Sequence, residues 1–214
     1  MSNNIDSFWV STAKANCTSI IIPDGCRDLI MKQKKGQKPD WFISPLFNQS
    51  KFLQVNEDVD FVGFRIKPGT IIDEEKLLQS IQQNEFHQAD IENVINDFTA
   101  RQRSIEEALK CLSSDDTHSV LDASLRLGVS IRTLQRLVSR NTSRTPSFWF
   151  QLARVKRAGK AIATSNNFIE VAYDYGFSDH AHMCREFKRW FNLSPSEIDS
   201  HPDIKRQLQT TGFT

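Results

Sequence analysis

Two groups of side chains in this sequence have types and spacing suited to chemistry. Arg132, Gln135, Arg136 and Arg140 fall on one arc at helical spacing, and His180, His182, Arg185, Lys188 and Arg189 hold outward positions of a second helical stretch further on. Arginine and glutamine side chains pair with base edges, and lysine and arginine hold phosphates, so the expected chemistry is recognition of a nucleic acid. Two solvated cationic helix faces would show the same charge. His180 and His182 invite a metal reading, but positions i and i+2 of a helix point about 200° apart and cannot share an ion. No metal site is expected, and base or phosphate contact is the better role for both. No phosphate-binding glycine loop, G-x-S-x-G elbow or H-E-x-x-H pair occurs, and no two carboxylates can be placed together as acid and base. An enzyme is therefore not expected, and no cofactor is implied.

The elements that must carry these side chains appear as an internal repeat. When Gly128 is placed on Gly176, Ser124-x-x-x-Gly128-Val-Ser130 matches Ala172-x-x-x-Gly176-Phe-Ser178. Each copy continues into a helical stretch with apolar inward positions, Leu134, Leu137 and Val138 in the first and Met183 and Phe187 in the second, which runs one residue longer. Each then closes on a hydroxyl-Pro pair, Thr145-Pro146 and Ser194-Pro195, suited to the N-cap and first position of a new helix. The small residue before the glycine lets two helices cross closely, and the glycine supplies the positive φ of a tight turn. That is the pattern of a helix-turn-helix; two generic helical hairpins would show the same periodicity without the polar outer arcs. Between the copies, Phe148, Leu152, Val155, Gly159 and Ile162 predict a long helix, with Arg154, Lys156, Arg157 and Lys160 on its other faces. A rigid linker of this kind would let two recognition helices enter successive major-groove faces, about 34 Å apart.

Charge is divided along the chain in the same sense. Residues 126–189 hold 12 Lys+Arg against 4 Asp+Glu, whereas residues 1–125 hold 13 against 19, a contrast that the net charge of +1 conceals. A basic block behind an acidic half is expected when one part meets a polyanion and the other does something else. With 214 residues, 39% of them hydrophobic, the chain can bury one large core or two small ones. No apolar run approaches a membrane span, and the first residues lack a secretory pattern, so a cytoplasmic location and no membrane partner are expected. Cys17, Cys26, Cys111 and Cys184 are too far apart for a C-x-x-C zinc site, so reduced thiols are expected. Cys26, beside Arg27 but between Asp24 and Asp28, is the candidate redox sensor; two carboxylates oppose the thiolate such a role needs, and burial in a turn is the stronger expectation.

The first 70 residues read as five or six short strands. Residues 18–22 and 28–31 flank the Pro23-Asp-Gly25 turn signal as a strand-turn-strand unit ending in a 32–38 loop, and residues 41–44, 51–55 and 61–66 supply the others. From Ile71 the spacing of Leu77, Leu78, Ile81, Ile91, Val94, Ile95 and Phe98 predicts helices, and Ser104-Ile-Glu-Glu107 has the form of a capping box for a helix through Leu112. Trp149 and Phe150, beside Phe148, are expected in the core under the linker helix.

Residues 119–199 resemble the double helix-turn-helix DNA-binding domain of AraC/XylS-type transcriptional regulators. The resemblance rests on Leu127-Gly-Val-Ser-Ile-Arg-Thr-Leu-Gln-Arg136, Arg154-Val-Lys-Arg-Ala158 and Tyr175-Gly-Phe-Ser-Asp-His-Ala-His-Met-Cys-Arg-Glu-Phe-Lys-Arg-Trp-Phe-Asn-Leu-Ser-Pro195. By position it implies DNA contacts from Arg132, Gln135 and Arg136 on one helix and His180, Ala181, His182 and Arg185 on the other. Ser130, Arg140, Lys188 and Arg189 complete the candidate set. Ser143 and Asn192 replace a family glycine, and Met183 stands where an aromatic is commoner. Ile22-Pro-Asp-Gly-Cys-Arg-Asp-Leu-Ile30 and Val62-Gly-Phe-Arg-Ile-Lys-Pro-Gly69 resemble the small β-rich domain that precedes this unit in one group of these regulators.

The resemblance implies an α+β chain: a β-rich sensory or dimerisation domain over 1–70, a helical connector over 71–116, an all-α DNA-binding domain over 117–200 with two helix-turn-helix units joined by a long helix, and a tail over 201–214. It implies double-stranded DNA as partner and, beyond it, RNA polymerase, a small-molecule effector and a second copy of the chain in a dimer. An architectural DNA-binding protein is the alternative, which would not need a separate acidic β-rich half.

Overall fold

The computed structural model of the chain describes residues 4–83, 88–165, 167–210 and 212–213. The amino-terminal part is built from β1 (Ile5–Ala13), β2 (Cys17–Ile21), β3 (Arg27–Lys34), β4 (Asp40–Ile43), β5 (Lys51–Val55), β6 (Val59–Ile66) and the short β7 (Ile71–Ile72). Next come α1 (Glu74–Gln83), α2 (Gln88–Asp97), β8 (Thr99–Ala100) and α3 (Arg103–Ser113). The remainder is helical: α4 (Val120–Arg126), α5 (Ile131–Thr142), α6 (Pro146–Ile162), α7 (Phe168–Asp174), α8 (His180–Phe191), α9 (Pro195–Asp199) and α10 (Pro202–Gln209). The expected α+β architecture, strands before helices, is observed.

A four-stranded antiparallel sheet in the order β1-β6-β3-β4 covers α1 and α2, and its inner side chains Ile5, Leu29, Phe64 and Ile66 meet Leu77, Ile81, Ile91 and Ile95 in a smaller core. A second, larger core holds Leu134, Val138, Leu152, Val155, Phe187 and Trp190 from the later helices. Ile105, Leu109 and Leu112 of α3 belong to this second core, because α3 lies on α6 and α5. So does Ile22 from the β-rich part, so the two cores are tied together at that point.

Several local expectations are corrected. Residues 18–22 and 28–31 do not pair with each other: β2 pairs with β5 in a separate two-stranded sheet, and β3 pairs with β6 and β4. Non-local apolar partners, such as Phe64 opposite Leu29, outweigh the hairpin suggested by the turn between them. Residues 32–34, expected in a loop, continue β3 opposite Val59–Phe61. The long strand β1 has no regular alternation to mark it in sequence, and Ile71–Ile72 pairs with Thr99–Ala100 before the first helix starts.

The capping box expected at Ser104 does not form. Helix α3 begins at Arg103 with Gln102 as an N-cap without a side-chain bond, so Ser104 already lies inside the helix. A capping box is present at Ser194 and Glu197 instead. Lys156, expected on a polar face of the linker helix, is fully buried. The tail over 201–214 contains α10, whose Leu208 packs against Gly159.

Candidate nucleic-acid interface

The repeat folds as two matched helix-turn-helix units, α4–α5 and α7–α8. Gly128 and Gly176 turn the chain with φ of +65° and +71°, and the small residues Ser124 and Ala172 are buried where the paired helices cross. Phe177 fills the second corner, and Leu134, Val138, Met183 and Phe187 form the inner faces of the two second helices. The extra residue of the second copy is taken up in the turn. Ser130 caps α5, its Oγ accepting from the Thr133 amide at 3.1 Å, whereas α8 is capped one place later by Asp179, whose carboxylate accepts from the His182 amide at 2.6 Å. Counted from these caps, Arg136 and Arg185 occupy the same helical position, as do Arg132 and Ala181, and Arg140 and Arg189.

The outward sides of α5 and α8 carry the candidate set. Ser130, Arg132, Gln135, Arg136 and Arg140 are exposed, as are His180, Ala181, Arg185, Lys188 and Arg189, while His182 is half-buried. They are not equivalent. His182 stands edge-on to Phe177, and its Nδ1 accepts from the Ser178 amide at 3.2 Å, so it orders the turn as well as lining the surface. Lys188 is paired with Glu197 at 2.7 Å, and this bond is the main reason the Glu197 carboxyl falls to about 2. Arg189 is paired with Glu186 at 3.2 Å. Among the described residues, the side chains of Arg132, Gln135, Arg136, Arg140 and Arg185 have no hydrogen bond or ion pair within the chain, which leaves them available to an outside partner.

The rest of the basic block has structural duties. Arg126 binds Asp122, and Arg144 donates to the Leu46 carbonyl with its guanidinium over Phe148. Arg154 lies 4.5 Å over the Phe177 ring and donates to the Gly176 carbonyl, so it braces the second turn, and burial lowers its pKa. Arg157 ties α6 to the Ser113 carbonyl and to Asp115. Most of the charge that made residues 126–189 basic is thus committed to the scaffold, and the free arginines stand on α5 and α8.

Two features escaped sequence reasoning. Leu121 and Leu125 on α4 are 53% and 70% exposed, and their repeat mates Ile169 and Tyr173 on α7 are 59% and 62% exposed, so each unit presents an apolar pair beside its recognition helix. The 48-residue offset already relates these pairs, but apolar spacing alone reads as core. The other feature is a groove of about 590 Å³ between the β-rich part and the end of α5, lined by Lys67, Arg140 and Arg144, by Arg27 with its ion-pair partner Glu74, and by apolar residues such as Leu46, Ile66 and Ile71.

Cys26 is buried, and burial first, then the Asp24 charge, pushes its thiol well up. The thiolate that a redox sensor requires is therefore disfavoured at this position. Among the described residues no helix is long and apolar enough to cross a membrane.

A family model described as a helix-turn-helix domain matches residues 123–200. The HTH-type transcriptional activator RhaS of Salmonella arizonae is 34% identical over 74 residues, covering 34% of this chain and 27% of its own. Histidine kinase P4 of Formosa agariphila is 27% identical over 141 residues, 64% of this chain and 10% of that protein. The chain thus spans from about a tenth to about a quarter of the length of these curated relatives. In fold it is similar to ToxT from Vibrio cholerae O395, with a TM-score of 0.51 at 11% identity over 96% of this chain and 98% of that one.

Proposed function

From the AraC/XylS-type helix-turn-helix domain that its residues 123–200 form, we infer that this chain is a sequence-specific DNA-binding transcriptional regulator whose two recognition helices, α5 and α8, enter successive major-groove faces of one duplex. The observation that carries this reading is the matched pair of helices with apolar inner faces and unpaired arginines outside, Arg136 and Arg185 at the same helical position. Arg132, Gln135 and Arg136 read base edges, with Ser130 and Arg140 at the margins. On α8, the unpaired Arg185 anchors chiefly to phosphate, with Lys188 and Arg189 at the margin, beside a groove-facing surface of His180, Ala181 and His182.

Residues 1–70 act as the sensory or dimerising part, 71–116 as connector, 117–200 as the DNA-binding part and 201–214 as a docked tail. The cationic groove beside α5 supports a small anionic effector, and the packing of α3 into the larger core gives such a signal a route to the DNA-binding helices. The exposed apolar pairs on α4 and α7 support a protein partner at the promoter, for which RNA polymerase is the natural candidate.

Selection of binding sites from a random duplex pool with the full chain tests the reading. A recovered consensus bound with an affinity that falls with salt, by about 0.9 in log K per log salt for each phosphate contact, supports it. Recovery of random sequences, or an affinity indifferent to salt, refutes it.

A further inference from the structure

The segment between β4 and β5, residues 44–50, belongs to the β-rich part but touches the same end of both recognition helices. Just beyond α5, Arg144 donates from Nη2 to the Leu46 carbonyl oxygen at 3.0 Å. At the end of α8, the Ser50 amide donates to the Trp190 carbonyl oxygen at 2.8 Å, and Asn192 donates from Nδ2 to the Ser50 carbonyl oxygen at 3.0 Å. Ser50 is only 2% exposed, so its backbone groups rely on these partners.

Both helices end in a left-handed residue that is not glycine, Ser143 at φ +54° and Asn192 at φ +58°. Glycine adopts that conformation more readily and is the common choice at this position. At 192 the chain instead carries an amide, and that amide reaches the β-rich part.

We propose that Asn192, together with Arg144, makes the 44–50 segment a strut that fixes the separation of α5 and α8, so that the β-rich part sets the spacing of the two DNA half-sites. Asn192 is a positioning residue in this arrangement. The inference rests on the two-helix DNA-binding reading above.

Asn192→Gly removes the amide while easing the left-handed turn, so the second unit keeps its fold. Ser143→Gly eases the corresponding turn of the first unit without touching the strut and is the control. The probes are the duplex recovered by selection with the full wild-type chain and versions with one base pair inserted or removed between the half-sites, a displacement of about 3.4 Å. Wild type and Ser143→Gly are expected to lose the same affinity on the altered spacings, and Asn192→Gly to lose about fivefold less, the worth of one hydrogen bond. Amide exchange at Ser50 is expected to quicken by about the same factor in Asn192→Gly alone. Equal spacing penalties in all three proteins, or unchanged exchange at Ser50, overturn the strut while leaving the DNA-binding reading intact. If wild type recovers no duplex, both fail together.

Discussion

The Lys156 ammonium group is closed in by the backbone at Gly212: a Cβ on that glycine would stand 3.1 Å from Nζ and 3.1 Å from the Asp24 carbonyl oxygen. Lys156 lies on the linker helix and is fully buried, and its Nζ has no hydrogen-bond partner among the described residues. Burial, only partly offset by Asp24, lowers its pKa from 10.5 to about 8. The docked tail, the β2–β3 turn and the linker helix therefore meet over a group that would be better solvated if they separated.

Replacing Lys156 by methionine, similar in volume and apolar, is expected to stabilise the chain by on the order of 3 kcal/mol at pH 7. Urea unfolding of both proteins at several pH values checks this. The folded pKa lies below the unfolded one, so the unfolded state holds more protons between about 8 and 10.5, and wild-type stability gains over that window. The advantage of Lys156→Met should therefore be full below about pH 8 and shrink towards pH 10.5. A variant no more stable than wild type at pH 7 would show that the amine has partners that compensate its burial.

Phe213 anchors the tail. Its ring lies 4.7 Å from that of Trp149, its amide donates to the Asp24 carbonyl oxygen at 2.8 Å, and it is 4% exposed. Phe213→Ala should cost about 3 to 5 kcal/mol, the usual penalty for emptying a buried aromatic site. Limited proteolysis should then cut within 201–214 well before wild type is cut. Undiminished stability and protease resistance would mean that the tail is not held by this contact.

The thiols should divide by burial. Cys17 is exposed and Cys26 buried with its thiol pushed up, so a disulfide reagent should label Cys17 quickly and Cys26 only at the rate of opening. Mapping the labelled cysteines by mass spectrometry checks the order; rapid labelling of Cys26 in the folded chain would revive the redox reading.

Arg136 and Arg185 share a helical position but not a neighbourhood. Arg136 adjoins Gln135 and follows Arg132, whereas Arg185 is accompanied by Ala181, by the turn-bound His182 and by Lys188, held to Glu197. Arg136→Ala should therefore relax sequence preference in one half of the site, with about 1 to 3 kcal/mol lost on the preferred base pair, and Arg185→Ala should weaken binding more evenly. Titration of both variants against single-base operator changes decides it. Uniform losses for Arg136→Ala, or both variants acting at the same base pairs, would reject the assignment.

What was legible in the sequence follows the range of the forces involved. The helix-turn-helix repeat was readable because each unit is specified locally, by Gly128 or Gly176, a small residue four places earlier and a hydroxyl-Pro cap. The strand pairing was not, because β2 and β5 meet across 30 residues of chain, and a turn signal at Pro23-Asp-Gly25 says nothing about distant partners. Ser104 failed as a cap because the helix starts two residues further back, at Arg103, where the i,i+4 pair Arg103 and Glu107 and the burial of Ile105 support the first turn. Lys156 shows the same limit: periodicity marks it polar, and it is buried by the β2–β3 turn and by the tail, whose Gly212 arrives from 56 residues away.

The most direct test of the account is a hydroxyl-radical footprint of the full chain on its selected duplex. Two recognition helices held on one rigid body predict two protected patches on one face of the DNA, centred about 10 base pairs apart, with Arg136→Ala opening one patch and Arg185→Ala the other. A single patch, or even protection along the duplex without that spacing, would contradict it.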